Sequence, residues 1–516
     1  MTTTEAVIRC GNDVRTHSEI RVRATRLASA LSALGVGHGD RYALVMRNEI
    51  GFVEATLAGA AIGAVPVPAN WHGNSDDLGH VLTDSAAKVV LVHTDLLPKV
   101  EAVLSPGTTI VEVRTPQVVA AAYGFDRPAA SRRYPDLDEL LDVHEPHIAG
   151  ITEPPMSVIY TSGTTGLPKG ILRSPTAPQD VTALHEVVIA AFGFGTARST
   201  LVAAPMYHTA PNTQFQFAFA LGLDVEIMPR FDPEELLRAI EQRRIEHLQA
   251  VPTMFVRLLK LPAPVRERYD LSSLIAVVHA AAPCPPDVKR AIIDWFGPIV
   301  HEYYGGSESG AAVICSSEEW LAHPGTVGRP VSDAAVRIIA ADGSEAAVGE
   351  PGDIYLRPFS AWPDFTYLGD DAKRRAMEKD GFVTVGDIGY VDADGFLHLS
   401  DRRNDMIISG GVNIYPAEIE SVILGLDGVA DVAVFGIPDP DFGEAVAAHI
   451  QPDPGATLAE DDVRAHVARR LARYKVPKVV VFEDVLPRED TGKLFKRRLK
   501  AHYWEQHTSE VPTGHA

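Results

Sequence analysis

The segment SVIYTSGTTGLPKGILRSP concentrates hydroxyls, glycines and one lysine behind a short apolar run. Thr161, Ser162, Gly163, Thr164, Thr165, Gly166 and Lys169 fall within one short loop. Glycine lets the backbone turn so that successive N–H groups converge on an anion, hydroxyls add donors, and lysine adds a point charge. Together they describe a polyphosphate cradle. The common nucleotide loop G-x-x-x-x-G-K-S/T does not fit. Leu167 and Pro168 separate Gly166 from Lys169, and Gly170 stands where a magnesium-binding hydroxyl belongs. The bland alternative is a solvent-exposed turn rich in Ser and Thr, and the ordered run of residue types from Tyr160 to Gly170 argues against it.

Such a loop needs a strand to deliver it and a sheet to hold it. Up to about residue 400, short apolar or β-branched runs alternate with amphipathic stretches, the rhythm of βα units around largely parallel sheets. Strands are expected over Tyr42–Met46, Lys88–His93, Ser157–Thr161, Leu201–Ala204, Leu248–Val251 and Ala276–His279. In FDPEELLRAIEQRRIEHL, Asp232 is placed to cap a helix, Pro233 to open it and Glu235 to close a capping box. Leu236, Leu237, Ile240 and Leu248 mark its apolar face. From Val336 the texture changes to short strands and Gly/Asp turns, predicting a β-rich subdomain of hairpins. After Ser400 a further compact unit begins, with the runs DVAVFGIP, AVAAHIQ and VVVFEDVL.

Composition bounds the partners. A chain of 516 residues with 46% hydrophobic content is long enough for about three domains and a large core. A net charge of -21 repels nucleic-acid phosphates and anionic membranes, so neither is expected as a partner. Cys10, Cys284 and Cys315 are too few and too scattered for a disulfide framework, so a reducing, cytoplasmic location is expected. The most apolar stretch, Ala55–Ala69, is broken by Gly59, Gly63, Pro66 and Pro68, and no membrane span or signal peptide is expected.

YTSGTTGLPKG resembles the signature loop of the adenylate-forming superfamily of acyl-CoA synthetases, luciferases and peptide-synthetase adenylation domains. HEYYGGSESG, Gly386-Asp387, DRRNDMIISGGVNIYPAEIE and PREDTGKLFKR follow in that family's order, from about residue 20 to residue 500. The resemblance implies an α/β fold. A large AMP-binding domain, 1–401, contains two α/β sheet subdomains plus a β-rich subdomain, and a small α+β C-terminal domain, 402–516, sits on a hinge. It also implies the reaction: a carboxylic acid is activated with ATP to acyl-AMP, pyrophosphate leaves, and the acyl group passes to a thiol.

The resemblance carries roles residue by residue. Tyr304 matches the aromatic that stacks on adenine, with Tyr303 beside it in the nucleotide site, and Ser307 can bond phosphate oxygens. Glu308, with Thr161, is placed to hold magnesium between phosphates. Glu302 stands where relatives present an acceptor to the adenine amino group. Ala281 and Ala282, in VVHAAAPCP, match the small-residue segment against the adenine ring. Asp387 matches the aspartate that accepts the ribose hydroxyls, and Arg402 the arginine that contacts ribose and phosphate. His208 sits beside the expected acyl site, bordered by Gly305 and Gly306, which leave room for a bulky acid. Lys493 matches the lysine that enters the ATP site during adenylation, and Asn404 occupies the pivot position, where Asp or Lys is usual.

The acceptor can be argued from charge. Between Arg464 and Lys500 there are 12 Lys/Arg against 4 Asp/Glu, a cluster suited to a phosphate-bearing thiol if it is not simply a solvated face. CoA and a phosphopantetheine carrier protein both qualify. Free CoA is preferred because no carrier module is fused to the chain. Gly410 and Gly411 are candidates for backbone approach to the pantetheine. The expected activity is therefore that of an acyl-CoA synthetase for a fatty, aromatic or steroid-like acid. A ligase loading a carrier protein is the alternative, and a non-catalytic nucleotide binder is a distant third.

Overall fold

The computed structural model describes residues 5–147, 155–161, 167–403, 405–410, 412–488 and 494–510. Strands buried on both faces build its first layer. Val65–Pro68, Arg41–Val45, Val89–His93 and Thr109–Val113 form a four-stranded parallel sheet in that order. Helices His17–Ala33, Ile50–Ile62 and Ser75–Asp84 alternate with these strands along the chain, as parallel crossovers require.

The second sheet carries the chemistry. Val300–Tyr304, Ala276–His279, His247–Ala250, Ser199–Val202, Asp224–Ile227 and Val7–Cys10 run parallel. The N-terminal hairpin Val7–Cys10/Asp13–Thr16 thus edges a sheet built some two hundred residues later, which local sequence pattern does not reveal. At its other side the sheet continues antiparallel through Val313–Cys315 and Thr326–Pro330 into Leu397–Arg402, Asp387–Val391 and Gly352–Arg357. The expected β-rich subdomain is there, but joined to the second α/β sheet as one 15-stranded surface.

Helix Pro233–Arg243 starts as expected, with the Asp232 carboxylate accepting the N–H groups of Glu234 and Glu235 at 3.0 Å each. Its end is not as expected. Arg244 turns left-handed (φ 50°) and closes the helix, so Leu248 lies in the strand His247–Ala250 and not on the helical face. The Glu235 carboxylate pairs with Arg238 instead of closing a capping box.

The final unit is a mixed five-stranded sheet of Ile407–Ser409, Val412–Ile414, Val429–Asp439, Gly443–Pro452 and Val479–Phe482. It has its own core around Ile407, Ile419, Val432, Val446 and Val463. No helix among the described residues is long and apolar enough to cross a membrane.

His247 ties the second sheet to its helices, with Nδ1 2.7 Å from Thr200 Oγ1 and Nε2 2.6 Å from the Phe192 carbonyl. Burial pushes its imidazole from 6.5 down to about 4. Between those values the unfolded chain binds the proton and the folded one does not, so this contribution is complete above pH 6.5 and is lost as pH falls toward 4. It amounts to roughly 3 kcal/mol. In denaturant titrations at pH 7 and pH 4.5, His247→Gln is expected to lose about 2–3 kcal/mol less stability than the parent over that interval. An identical loss in both proteins excludes His247 as the titrating group.

Candidate active site

The strands on either side of the glycine-rich segment pair with each other. Strands Ile159–Thr161 and Lys169–Arg173 pair antiparallel with Thr161 opposite Lys169, so the two ends of the loop stand side by side. The intervening Ser162, Gly163, Thr164, Thr165 and Gly166 lie outside the described residues. Phe365–Tyr367 pairs with the other edge of Lys169–Arg173. Its Tyr367 hydroxyl donates to Glu308 Oε1 at 3.0 Å. Burial and the adjacent Glu308 push that phenol well above its ordinary value, which keeps it a donor. Lys169 Nζ reaches Asp370 Oδ2 at 3.3 Å.

The turn after strand Val300–Tyr304 is held from three sides. A Cβ on Gly305 would sit 1.7 Å from the Gly310 carbonyl oxygen, so no side chain fits there. Gly310 has φ 64° and packs its Cα against the Trp362 ring. Beneath the turn, the Arg173 guanidinium lies 4.9 Å from the Trp362 centroid and donates to the carbonyls of Ser307, Glu308 and Pro363. Burial pushes Arg173 down to about 10, still a cation at neutral pH. A buried guanidinium satisfied by carbonyls fixes backbone position more than it balances charge. Glu308 is thereby held at its main chain by Arg173 and at its carboxylate by Tyr367.

On the same side, Tyr304 donates its hydroxyl to Asp387 Oδ2 at 2.8 Å, and Ser307 Oγ meets Thr209 Oγ1 at 2.6 Å. Ala281 adopts φ 75°, a conformation that costs an alanine and that persists where the surroundings impose it.

Tyr304 thus stands beside Asp387, Glu308 beside Tyr367, and Lys169 beside Asp370. Residues 2–360 match the AMP-binding enzyme family, and residues 418–493 match the AMP-binding enzyme C-terminal domain. The chain is an AMP-binding enzyme. It belongs to the acyl-CoA synthetase family of the adenylate-forming superfamily.

This AMP-binding enzyme is 32% identical over 521 residues to the long-chain-fatty-acid–CoA ligase FadD13 of Mycobacterium tuberculosis, covering 98% of this chain and 96% of that one. It is 33% identical over 498 residues to a feruloyl-CoA synthase of Amycolatopsis, covering 96% and 95%. Among solved structures, ATP-bound MatB from Rhodopseudomonas palustris matches with a TM-score of 0.82 at 27% identity, covering 98% of this chain and 97% of that one.

Several residues of the AMP-binding enzyme stand differently from expectation. Tyr303 points to the opposite face of its strand from Tyr304, packing on Phe192 (4.9 Å between centroids) and accepting from Gln249 at 2.9 Å. It is a core residue because strand side chains alternate. Glu302 is no exposed acceptor. Its carboxylate is buried and ion-paired with the fully buried Lys289, with His279 Nε2 at 3.5 Å. Burial raises the Glu302 pKa while Lys289 opposes the rise. Gly305 and Gly306 are accounted for by the turn itself, since a Cβ on Gly306 would meet Glu308 Oε2 at 3.0 Å.

His208 stands at the N-terminal end of helix Thr209–Ala220 without a side-chain cap bond, its ring 4.4 Å from that of Tyr207. Ala282 follows Ala281 at the mouth of strand Ala276–His279. The backbone of Arg402 pairs with Asp387. The Arg402 side chain, Asn404, Gly411 and Lys493 lie outside the described residues. Gly410 has φ 56° and donates its N–H to the Phe442 carbonyl at 2.8 Å. The basic C-terminal run is partly neutralised within its own unit. Arg464, Lys475, Lys478, Arg488 and Lys496 pair with Glu460, Glu418, Asp439, Asp431 and Glu420. Sequence reasoning missed Arg173, whose one signal is a charge in phase with Ile171 on a buried strand face.

Proposed function

We propose that this enzyme is an AMP-forming acid–CoA ligase for a bulky apolar carboxylic acid. The acid's carboxylate oxygen attacks the α-phosphorus of ATP, pyrophosphate leaves with the α–β bridging oxygen, and acyl-AMP forms. The CoA thiol then attacks the acyl carbon, and AMP departs as the thioester is made. No general base is needed for the first step, because a carboxylate is already the nucleophile. The main obstacle is repulsion between two anions, which positioned cations reduce.

The observation that carries this reading is the fixed Glu308 carboxylate beside Tyr367, on the turn that follows Tyr304, whose hydroxyl donates to Asp387. Glu308 and the Thr161 hydroxyl are hard oxygen donors of the kind magnesium takes. Bound there, the ion supplies charge compensation to the phosphates. Tyr304 and Asp387 are assigned to adenine and ribose, Ala281 and Ala282 to the adenine edge, and Ser307, Lys169 and the 161–166 loop to the phosphates. Lys493 is assigned to the α-phosphate and the attacking carboxylate. The acid is placed by His208 and helix Thr209–Ala220, and the pantetheine by Gly410 and Gly411. A bulky acid is supported by relatives named for long-chain fatty and ferulic acids. CoA as acceptor is supported by those same names more than by the partly neutralised basic run.

Acid-dependent ATP/pyrophosphate exchange tests the first step across medium- and long-chain fatty, aromatic and steroid-like acids, followed by CoA consumption with the best acid. Exchange stimulated by at least one acid, with thioester formed, is the expected result. No stimulation by any acid overturns the reading, and exchange without CoA consumption points to a carrier protein.

A further inference from the structure

A second lysine stands at the cradle. Lys373, on the short helix Asp371–Ala376, brings its ammonium beside that of Lys169. Both lie over one face partner, the Tyr367 ring, with Nζ 5.1 Å from the centroid for Lys373 and 5.7 Å for Lys169. The hydroxyl of that same ring is bonded to Glu308. Asp370 accepts from Lys169 Nζ and, through its other oxygen, from the Lys373 backbone N–H at 3.1 Å. Among the described residues no carboxylate lies within 4.0 Å of the Lys373 ammonium, whereas that of Lys169 has Asp370.

Two ammonium groups held this close repel each other unless an anion joins them. Burial first, and Lys169 second, push Lys373 down to about 8, while the charges of Asp370 and Glu308 oppose the fall. Because Lys169 is paired in register with Thr161, the pair stands at the point where the glycine loop closes. An anion that spans two ammonium groups there carries several charges on adjoining oxygens, as a diphosphate does. We propose that Lys373 is a second polyphosphate-binding residue, gripping the β- and γ-phosphates of ATP, and then pyrophosphate, jointly with Lys169. This rests on the reading of the 161–170 loop as the ATP cradle.

The test uses the full chain with inorganic pyrophosphate and AMP as separate calorimetric probes in magnesium buffer, on the parent, Lys373→Gln and Lys373→Arg. Lys373→Gln is expected to weaken pyrophosphate about tenfold and to raise the KM for ATP similarly, as loss of one charge-assisted contact predicts. AMP, which lacks the outer phosphates, should change less than twofold, and Lys373→Arg should recover most of the pyrophosphate affinity. Pyrophosphate affinity within twofold of the parent in Lys373→Gln overturns the proposal while leaving the cradle intact. A parallel fall in AMP affinity also overturns it, because Lys373 then acts through the fold. A parent chain that binds AMP but neither pyrophosphate nor ATP refutes the cradle reading itself.

Discussion

Glu308→Gln is expected to lower acid-dependent pyrophosphate release by on the order of 100-fold or more, with no recovery in excess magnesium. The substitution keeps size and keeps an oxygen that can accept from Tyr367, so the 3.0 Å contact survives. Only the charge is lost. The melting temperature and AMP affinity should therefore stay near those of the parent. Arg173→Met separates charge from position. It leaves the Glu308 side chain unaltered but strips donors from the carbonyls of Ser307, Glu308 and the buried Pro363, at a cost of about 3 kcal/mol or more. Stability and activity should then fall together. Rates for Glu308→Gln near the parental value at saturating magnesium would falsify the assignment of this carboxylate to the metal and phosphates.

The parts of this site that were legible in sequence are the local ones. Glycines, hydroxyls and a lysine in one loop announce anion binding because the same few residues supply the turn and the donors. Strands such as Ala276–His279 and Val89–His93 are legible because both faces are buried and the run is continuously apolar. The parts that were not legible depend on register between distant segments. Tyr367 and Lys373 reach Glu308 and Lys169 because Phe365–Tyr367 pairs with Lys169–Arg173 across nearly two hundred residues, and no local period encodes that pairing. Glu302 illustrates the same limit. An acid on a strand reads alike whether it faces a ligand or, as here, a lysine on the helix Pro286–Phe296. Gly305 reads as space for a substrate and is in fact filled by the carbonyl of Gly310.

The resemblance also places two residues on opposite sides of a two-step cycle, and the structure sharpens how they should differ. Arg403 is fastened to the large unit, its N–H on the Gly386 carbonyl at 2.8 Å and its guanidinium on Asp353. Ile407 already belongs to the core of the small unit. Any pivot between them therefore falls on residues 404–406, where Asn404 stands. Asn404→Pro restricts φ and also biases Arg403 toward extended geometry. It should leave adenylation nearly intact while thioester formation from supplied acyl-AMP falls about tenfold or more. Lys493→Ala should do the reverse. On the proposed two-step cycle it removes a cation from between two anions, costing on the order of 100-fold or more in pyrophosphate release, while the thioester step, for which that cycle uses another face of the small unit, survives. Lys496, three residues on, is half-buried with Nζ 2.9 Å from Glu420 Oε1 and feels Asp401 and Asp405, so it is committed to an ion pair of the small unit and is not free to replace Lys493. Both half-reactions measured on both variants decide the matter. A parallel loss of both steps in both proteins means that one closed arrangement serves adenylation and thioester formation alike, and alternation about Asn404 is then wrong for this enzyme.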